Sequence, residues 1–277
     1  MPLTFPERLD RARIAADSLV CVGLDPDPSK LPPDLRSDPT PFLAFGRRIV
    51  DATRGVAAAY KPQIAFYSAL GKEDELAATI EYIRDRAPEA LVILDAKRND
   101  IGNTAEAYAR EAFDRYGADA VTVSPYMGED SVAPFLARPD RAAILLCRTS
   151  NPGARDFQDL LIEGVPLYAR VAARAAARWN THRNLMLVVG ATYPAEMAEL
   201  RRAHPEIWFL VPGIGAQGGD LDEVLSAGLD SAGGGLLINS SRAIIYAGGA
   251  ESEAIRAAAA QLRDAINRRR DQAAVAV

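Results

Sequence analysis

The chain is poor in the residues that most often mark metal or redox chemistry. It has two cysteines, Cys21 and Cys147, each inside an apolar run, with no CxxC pair and no Cys/His cluster. That argues against a structural zinc site and fits a reducing cytosol. The two histidines, His182 and His204, lie on polar segments and read as solvated groups. Positive charge is not in excess: the net charge is −5, so nothing draws the chain to nucleic acid or to anionic membrane in general. No apolar run reaches the roughly 18–20 residues that span a bilayer. The start, Met-Pro-Leu-Thr-Phe-Pro-Glu-Arg, lacks the basic-then-apolar order of a signal peptide. These absences predict a cytoplasmic protein whose anionic ligands, if any, are held by a local site.

What is present is alternation. Short apolar runs at 18–24, 57–60, 91–94, 120–123, 142–147, 185–189, 208–211 and 235–238 read as strands. Helix-period segments lie between them at 41–54, 73–86, 104–116, 166–179, 195–203 and 221–227, with a last helix at 251–268. Continuous apolar strands alternating with helices indicate a parallel sheet covered on both faces. Eight such units predict a closed (β/α)8 TIM barrel as a single domain over 1–277, with 271–277 a frayed tail. A doubly wound open sheet is the alternative. The Pro/Asp-rich stretch 25–40 reads as a long loop after the first strand.

In a barrel of this kind, function gathers at the carboxyl ends of the strands. The first strand ends in Asp25, the second in Lys61, and the third in Asp95 and Lys97, with Asp100 just beyond. Positions two apart in a strand share a face, so Asp95 and Lys97 are expected to point the same way. Charges at the end of an apolar strand are costly unless paired, so a salt-bridge network or an active site is expected there. Five charges on three consecutive strand ends favour the site. A lysine kept protonated by flanking carboxylates is a candidate acid for a developing carbanion.

The seventh strand runs into Gly213, Gly215, Gly218 and Gly219, with Gln217 among them, and Arg242 follows the eighth. Loops at these two places commonly bind phosphate in barrels, through backbone N–H groups and a forked guanidinium. The pattern is neither a Rossmann fingerprint nor a Walker A loop. Ser150 and Asn151, before Pro152-Gly153, either face a polar ring at the mouth or form an ordinary turn. Phe113, Tyr108 and Tyr116 read as core or interface, 72–75 reads as a solvated helix start, and the end of the sixth strand is the least informative.

These residues resemble the orotidine 5′-phosphate decarboxylase family, in its longer bacterial subgroup. The family motif Asp-x-Lys-x-x-Asp-Ile-x-x-Thr is matched by Asp95, Lys97, Asp100, Ile101 and Thr104. Tyr60-Lys61-Pro62, Ser124-Pro125-Tyr126-Met127-Gly128 and Thr149-Ser150-Asn151-Pro152-Gly153 extend the likeness from Asp25 to Arg242. Gly102-Asn103 departs from the commoner subgroup, where proline is frequent after the isoleucine, without emptying a charged position.

The resemblance implies decarboxylation of orotidine 5′-monophosphate to uridine 5′-monophosphate in pyrimidine synthesis, with no metal and no organic cofactor. It implies that Lys97 protonates C6 and that Asp95 lies beside the substrate carboxylate. Lys61 and Asp25 would contact ribose hydroxyls, and Ser150 would read the pyrimidine edge. Gln217 and Arg242 would grip the 5′-phosphate, with Gly215 in the loop that approaches it. The implied assembly is a homodimer in which Asp100 and Thr104 serve the neighbour's site. Two rivals share parts of this pattern: the magnesium-dependent relatives acting on open-chain sugar phosphates, and a barrel that binds nucleotide without chemistry. In the first the motif typically continues Asp-Ala-Gly, where this chain has Asp100-Ile101-Gly102 with Thr104.

Overall fold

The protein is described by a computed structural model, which covers residues 3–214 and 219–275. Eight parallel strands close into a barrel: β1 Val20–Leu24, β2 Ala59–Pro62, β3 Leu91–Arg98, β4 Ala120–Val123, β5 Ala142–Arg148, β6 Leu185–Val189, β7 Phe209–Val211 and β8 Leu236–Ser240. Neighbours in space are neighbours in sequence, and β8 pairs with β1 through Val20 and Ile238 to complete the ring. The open-sheet alternative is thereby excluded.

Alternation along the strands divides the core in two. Cys21, Ala59, Ile93, Ala120, Ile144, Met186 and Leu210 belong to the inner cluster. Val20, Val22, Tyr60, Val92, Leu94 and Val121 belong to the outer one, under the helices. Opposite faces of a barrel strand serve the interior and the helix layer in turn. The alanines of β2, β4 and β5 leave the interior room for larger neighbours.

The helix Phe5–Ala16 escaped the periodic reading of the sequence. Its Phe5, Leu9 and Ala12 pack into the inner cluster and so close the amino end of the barrel. Three buried residues in twelve make a thin apolar stripe, and the charged residues between them hide it. The helix Glu129–Leu136 was also missed, because Pro134 interrupts its pattern. Near 104–116 and 166–179 the helices Gly102–Arg110 and Leu167–Arg174 each end in a widened π turn. The last helix runs over Ser252–Val275, so the tail expected to fray is helical as far as Val275.

One expectation is corrected here. The helix start at 72–75 is not simply solvated, because Glu75 is buried. Its carboxylate accepts from the backbone N–H groups of Phe42 (2.8 Å) and Leu43 (3.1 Å) and pairs with Lys72 at 2.7 Å. A carboxylate at the first turn of the helix Pro41–Thr53 satisfies amides that have no partner within the helix.

The amino end of the barrel is fastened by Asp119, whose side chain is 0% exposed. It accepts from the Val92 N–H at 2.7 Å and pairs with Arg8, with Arg84 at 2.8 Å and with Arg141 at 3.2 Å. These arginines come from the first helix, from the helix Glu73–Arg86 and from the turn before β5. Asp119→Asn keeps the shape and removes the charge that three guanidinium groups share. Breaking a buried pair from one side costs about 3–5 kcal/mol. Because the arginines keep some solvent, a loss of about 3 kcal/mol in a urea denaturation midpoint series is expected.

Candidate active site

The carboxyl end of β3 is built around a bulge. Leu94 pairs with Val121 and Arg98 with Val123, so Asp95, Ala96 and Lys97 all stand against the single residue Thr122. Thr122 Oγ1 accepts from the N–H of Ala96 (3.0 Å) and of Lys97 (2.9 Å), and donates to Asp95 Oδ1 at 2.8 Å. One hydroxyl thus replaces the strand partner that the extra residues lack. Lys97 takes a left-handed backbone, φ 46°. Asp95 and Lys97 do meet, but by way of this bulge and not by the simple period-two argument. Thr122 was not singled out from the sequence; its signal there is a hydroxyl inside the apolar run Ala-Val-Thr-Val.

Asp95 is 8% exposed and holds three donors. Besides Thr122, Oδ1 accepts from Lys97 Nζ at 2.7 Å and Oδ2 from Lys61 Nζ at 3.0 Å. Burial alone would raise the carboxyl pKa, and the two ammonium groups with the hydrogen bonds outweigh it, leaving the value at about 2. Lys61 is buried too. Burial pushes its ammonium down, while Asp95 and Asp25 push it up and prevail. Both groups are therefore held charged. Lys97 differs in that its side chain is 49% exposed and reaches into the open mouth.

Asp25, at the end of β1, has a buried Oδ1 with no hydrogen-bond partner among the described residues. It lines a cavity of about 190 Å³ with Lys61, Asn239, Ser241 and Arg242. A larger cavity of about 470 Å³ adjoins it, lined by Lys61, Asp95, Lys97 and Thr122 on one side and by Thr149, Ser150 and Gln158 on the other. Leu146, Val188 and Leu210 give that cavity an apolar floor. Lys61 and Pro212 line both, so the two cavities are one trough: a polar, cationic end and a wider, partly apolar end.

Ser150 lines the mouth. The end of β6, which the sequence left uninformative, is what seats it. A Cβ at Gly190 would lie 2.8 Å from both the Cβ and the backbone N of Ser150, so only glycine allows the approach. Arg242 lines the smaller cavity and is exposed. Gly213, with φ 101°, and Gly219 bring the chain together after β7, where the Gly219 N–H donates to the Gly213 carbonyl at 3.2 Å. Gln217 and Gly215 lie outside the described residues.

Asp100 and Thr104 are not brought to the trough of their own chain. Asp100 accepts from the N–H of Ile101 at 2.8 Å, and Thr104 is exposed on the helix that follows. Exposed Ile101, Tyr126 and Met127 lie on the segments after β3 and β4. Of the other polar groups, Gln158 was not singled out from the sequence. His204 is half-buried, and burial and then Arg201 lower its pKa; it stands away from the trough.

Among the described residues no group of three or more His, Cys, Asp or Glu is placed to hold a metal ion. No described helix is long and apolar enough to cross a membrane. The arrangement offers a fixed carboxylate, a fixed ammonium and a freer ammonium at one end of a trough, with hydrogen-bonding groups at the other. Such a site can hold an anion, bind hydroxyls and deliver a proton.

The chain is similar to known proteins along most of its length. Residues 18–258 match the family model described as orotidine 5′-phosphate decarboxylase / HUMPS family. An orotidine 5′-phosphate decarboxylase of Azoarcus sp. is 57% identical, over 91% of this chain and 94% of its own. One of Janthinobacterium sp. is 52% identical, over 96% of this chain and 99% of its own. Among solved structures, the OMP decarboxylase of Leishmania donovani is 42% identical with a TM-score of 0.86, over 97% of this chain and 100% of that one.

The Asp95 carboxyl has a folded pKa of about 2 against an ordinary 3.8, so its contribution to stability is present above pH 3.8 and lost as pH falls towards 2. The size is about 2 kcal/mol. Lys61 acts in the opposite sense: its contribution is present below its ordinary value and is lost only at high pH. Urea unfolding between pH 4 and pH 2 is expected to show the acid loss in the native chain, and a flatter slope in Asp95→Asn.

Proposed function

The chain belongs to the orotidine 5′-phosphate decarboxylase / HUMPS family, and on that premise we propose how it acts on its substrate. It is an enzyme that decarboxylates orotidine 5′-monophosphate to uridine 5′-monophosphate in pyrimidine biosynthesis. The observation that carries the residue roles is the row Lys61–Asp95–Lys97 at the join of the two cavities.

Breaking the bond between C6 and the carboxylate leaves an electron pair on C6 with little delocalisation, so the barrier is high. Catalysis then depends on charges already in place that favour the carbanion over the carboxylate. Lys97 donates its Nζ proton to C6 as carbon dioxide departs, and its half-exposed side chain has the freedom to reach the ring. Asp95, ionised and held by three donors, lies beside the leaving carboxylate and disfavours the bound reactant relative to the carbanion. Lys61 keeps Asp95 ionised and contacts the ribose.

The remaining groups bind. Asp25 accepts from ribose hydroxyls, a role supported by its unpartnered buried oxygen. Ser150 hydrogen-bonds the pyrimidine edge above the apolar floor of Leu146, Val188 and Leu210. Arg242 forks onto the 5′-phosphate, with Gln217 and the Gly215 backbone completing the grip. Phosphate and ribose are remote from C6, so their binding energy is available to orient the ring against Lys97.

In this reading the enzyme works as a homodimer in the cytoplasm. Asp100 and Thr104 leave their own trough and enter the partner's, where Asp100 adds a second carboxylate near Lys97. The exposed Ile101, Tyr126 and Met127 supply apolar area for such a contact.

Lys97→Ala is expected to lower turnover of orotidine 5′-monophosphate by roughly 10⁴-fold or more while keeping uridine 5′-monophosphate binding. Substantial residual decarboxylation would remove Lys97 from the acid's role. Turnover of the native enzyme is expected to be unchanged in excess chelator, and its loss would favour the metal-dependent relatives. Mixing Asp95→Ala with Asp100→Ala is expected to restore up to about one quarter of native activity, because half of the exchanged dimers keep one intact site. No recovery despite demonstrated subunit exchange would refute the shared site.

A further inference from the structure

Arg148 ends β5 beside Ser150, and its side chain is 1% exposed. A buried cation costs several kcal/mol unless its surroundings compensate. Here they do so from three directions. Nη2 pairs with Asp159 at 3.2 Å, Nη1 lies 3.5 Å from the Gln158 side-chain oxygen and 3.4 Å from the Thr149 carbonyl, and the guanidinium sits 3.6 Å over the Tyr193 ring.

Gln158 carries the contact on to the mouth. Its Oε1 accepts from the Thr149 N–H at 2.9 Å, and its Nε2 donates to Thr149 Oγ1 at 2.9 Å. The residue before Ser150 is thus clasped at both backbone and side chain. Gly190, which touches Ser150 from the other side, is itself tied to this centre, because its N–H donates to the Arg148 carbonyl at 2.7 Å. The rest of the segment 149–166 is held mainly by polar contacts, among them the Tyr168 N–H to the Gln158 carbonyl at 3.1 Å and Arg170 Nε to the Ile162 carbonyl at 2.9 Å. Phe157, Leu160, Leu161 and Ile162 are all exposed, so few apolar contacts anchor it to the barrel.

We propose that Arg148 is a positioning residue: it touches no substrate, and through Thr149, Gln158 and Asp159 it fixes where Ser150 meets the base. The inference rests on the reading of Ser150 given above. It separates two parts of the ligand: the base end of the trough depends on Arg148, and the phosphate and ribose end does not. Lysine cannot replace arginine here, since it offers neither the fork nor the flat face laid over Tyr193.

The test is calorimetric titration of uridine 5′-monophosphate and of ribose 5-phosphate, which lacks the base, into native enzyme, Arg148→Lys, Asp159→Asn and Ser150→Ala. Asp159 is partly in solvent, so its variant keeps the test sound if Arg148→Lys fails to fold. Arg148→Lys and Asp159→Asn are each expected to weaken the nucleotide by about tenfold and ribose 5-phosphate by less than about twofold. Unchanged nucleotide affinity in Asp159→Asn, or parallel loss of both ligands, overturns the proposal. Ser150→Ala judges the underlying reading separately. If it binds nucleotide normally while Asp159→Asn does not, Ser150 is not the base reader and the proposal as stated fails with it; loss in Ser150→Ala without loss in Asp159→Asn overturns Arg148 alone.

Discussion

A carboxylate shielded from water stays ionised only when enough donors converge on it, and Asp95 has three within 3.0 Å. That one requirement organises the mouth. It explains why Lys61 is buried at the end of β2, where only an anion could repay the loss of its hydration. It explains why β3 bulges: the extra residues let Lys97 turn back, in a left-handed conformation, to a carboxylate two positions earlier. It gives Thr122 its place, since one hydroxyl both closes the bulge and completes the carboxylate's donors. The positive charge that keeps Asp95 ionised is also the charge that a departing carboxylate and a nascent carbanion would feel.

The two ends of the barrel use the same device for different ends. Asp119 at the amino end is gripped by three arginines and a backbone amide, with its side chain fully buried. Arginine suits that task, because the planar fork is always charged and holds its geometry. Asp95 at the carboxyl end is held by lysines, and one of them is left half in the open. An ammonium on a flexible stem can release a proton and move; a guanidinium does neither readily. The choice of cation thus separates a fastening from a group able to move a proton, in keeping with how barrels divide stability and activity between their faces.

Much of this was legible in the sequence, because it is written in one-dimensional patterns. Eight apolar runs alternating with helices gave the barrel, and strand ends gave Asp25, Lys61, Asp95 and Lys97. What stayed hidden depends on contacts between distant segments. Thr122 looks like any β-branched strand residue until β3 is seen to bulge against it. Gly190 looks like a turn residue until Ser150 is seen pressed on it. Glu75 looks like a solvated helix start until the helix Pro41–Thr53 presents its amides to it. The helix Phe5–Ala16 carries Phe5, Leu9 and Ala12 at ordinary helical spacing, but the many charged residues between them dilute the stripe. In each case the missing information is a partner, and a partner far along the chain leaves no local trace.

The motif around β3 is also divided in a way its spacing conceals. Asp95 and Lys97 face the trough, while Asp100, only three residues on, is turned out by the chain that leads into the helix Gly102–Arg110 and bonds the amide of Ile101. Asp100 and Thr104 therefore do not line the trough that Asp95 and Lys97 line in the same chain. Beside Asp100 the exposed Ile101 leaves apolar surface uncovered at the rim. A neighbouring copy brought against that surface would carry its own Asp100 and Thr104 in, and the rim of one barrel would then complete the mouth of the other. On that reading, the half-exposure of Lys97 in the single chain would mark the side from which a partner's carboxylate arrives, and the motif's compactness would reflect a shared interface more than a shared pocket.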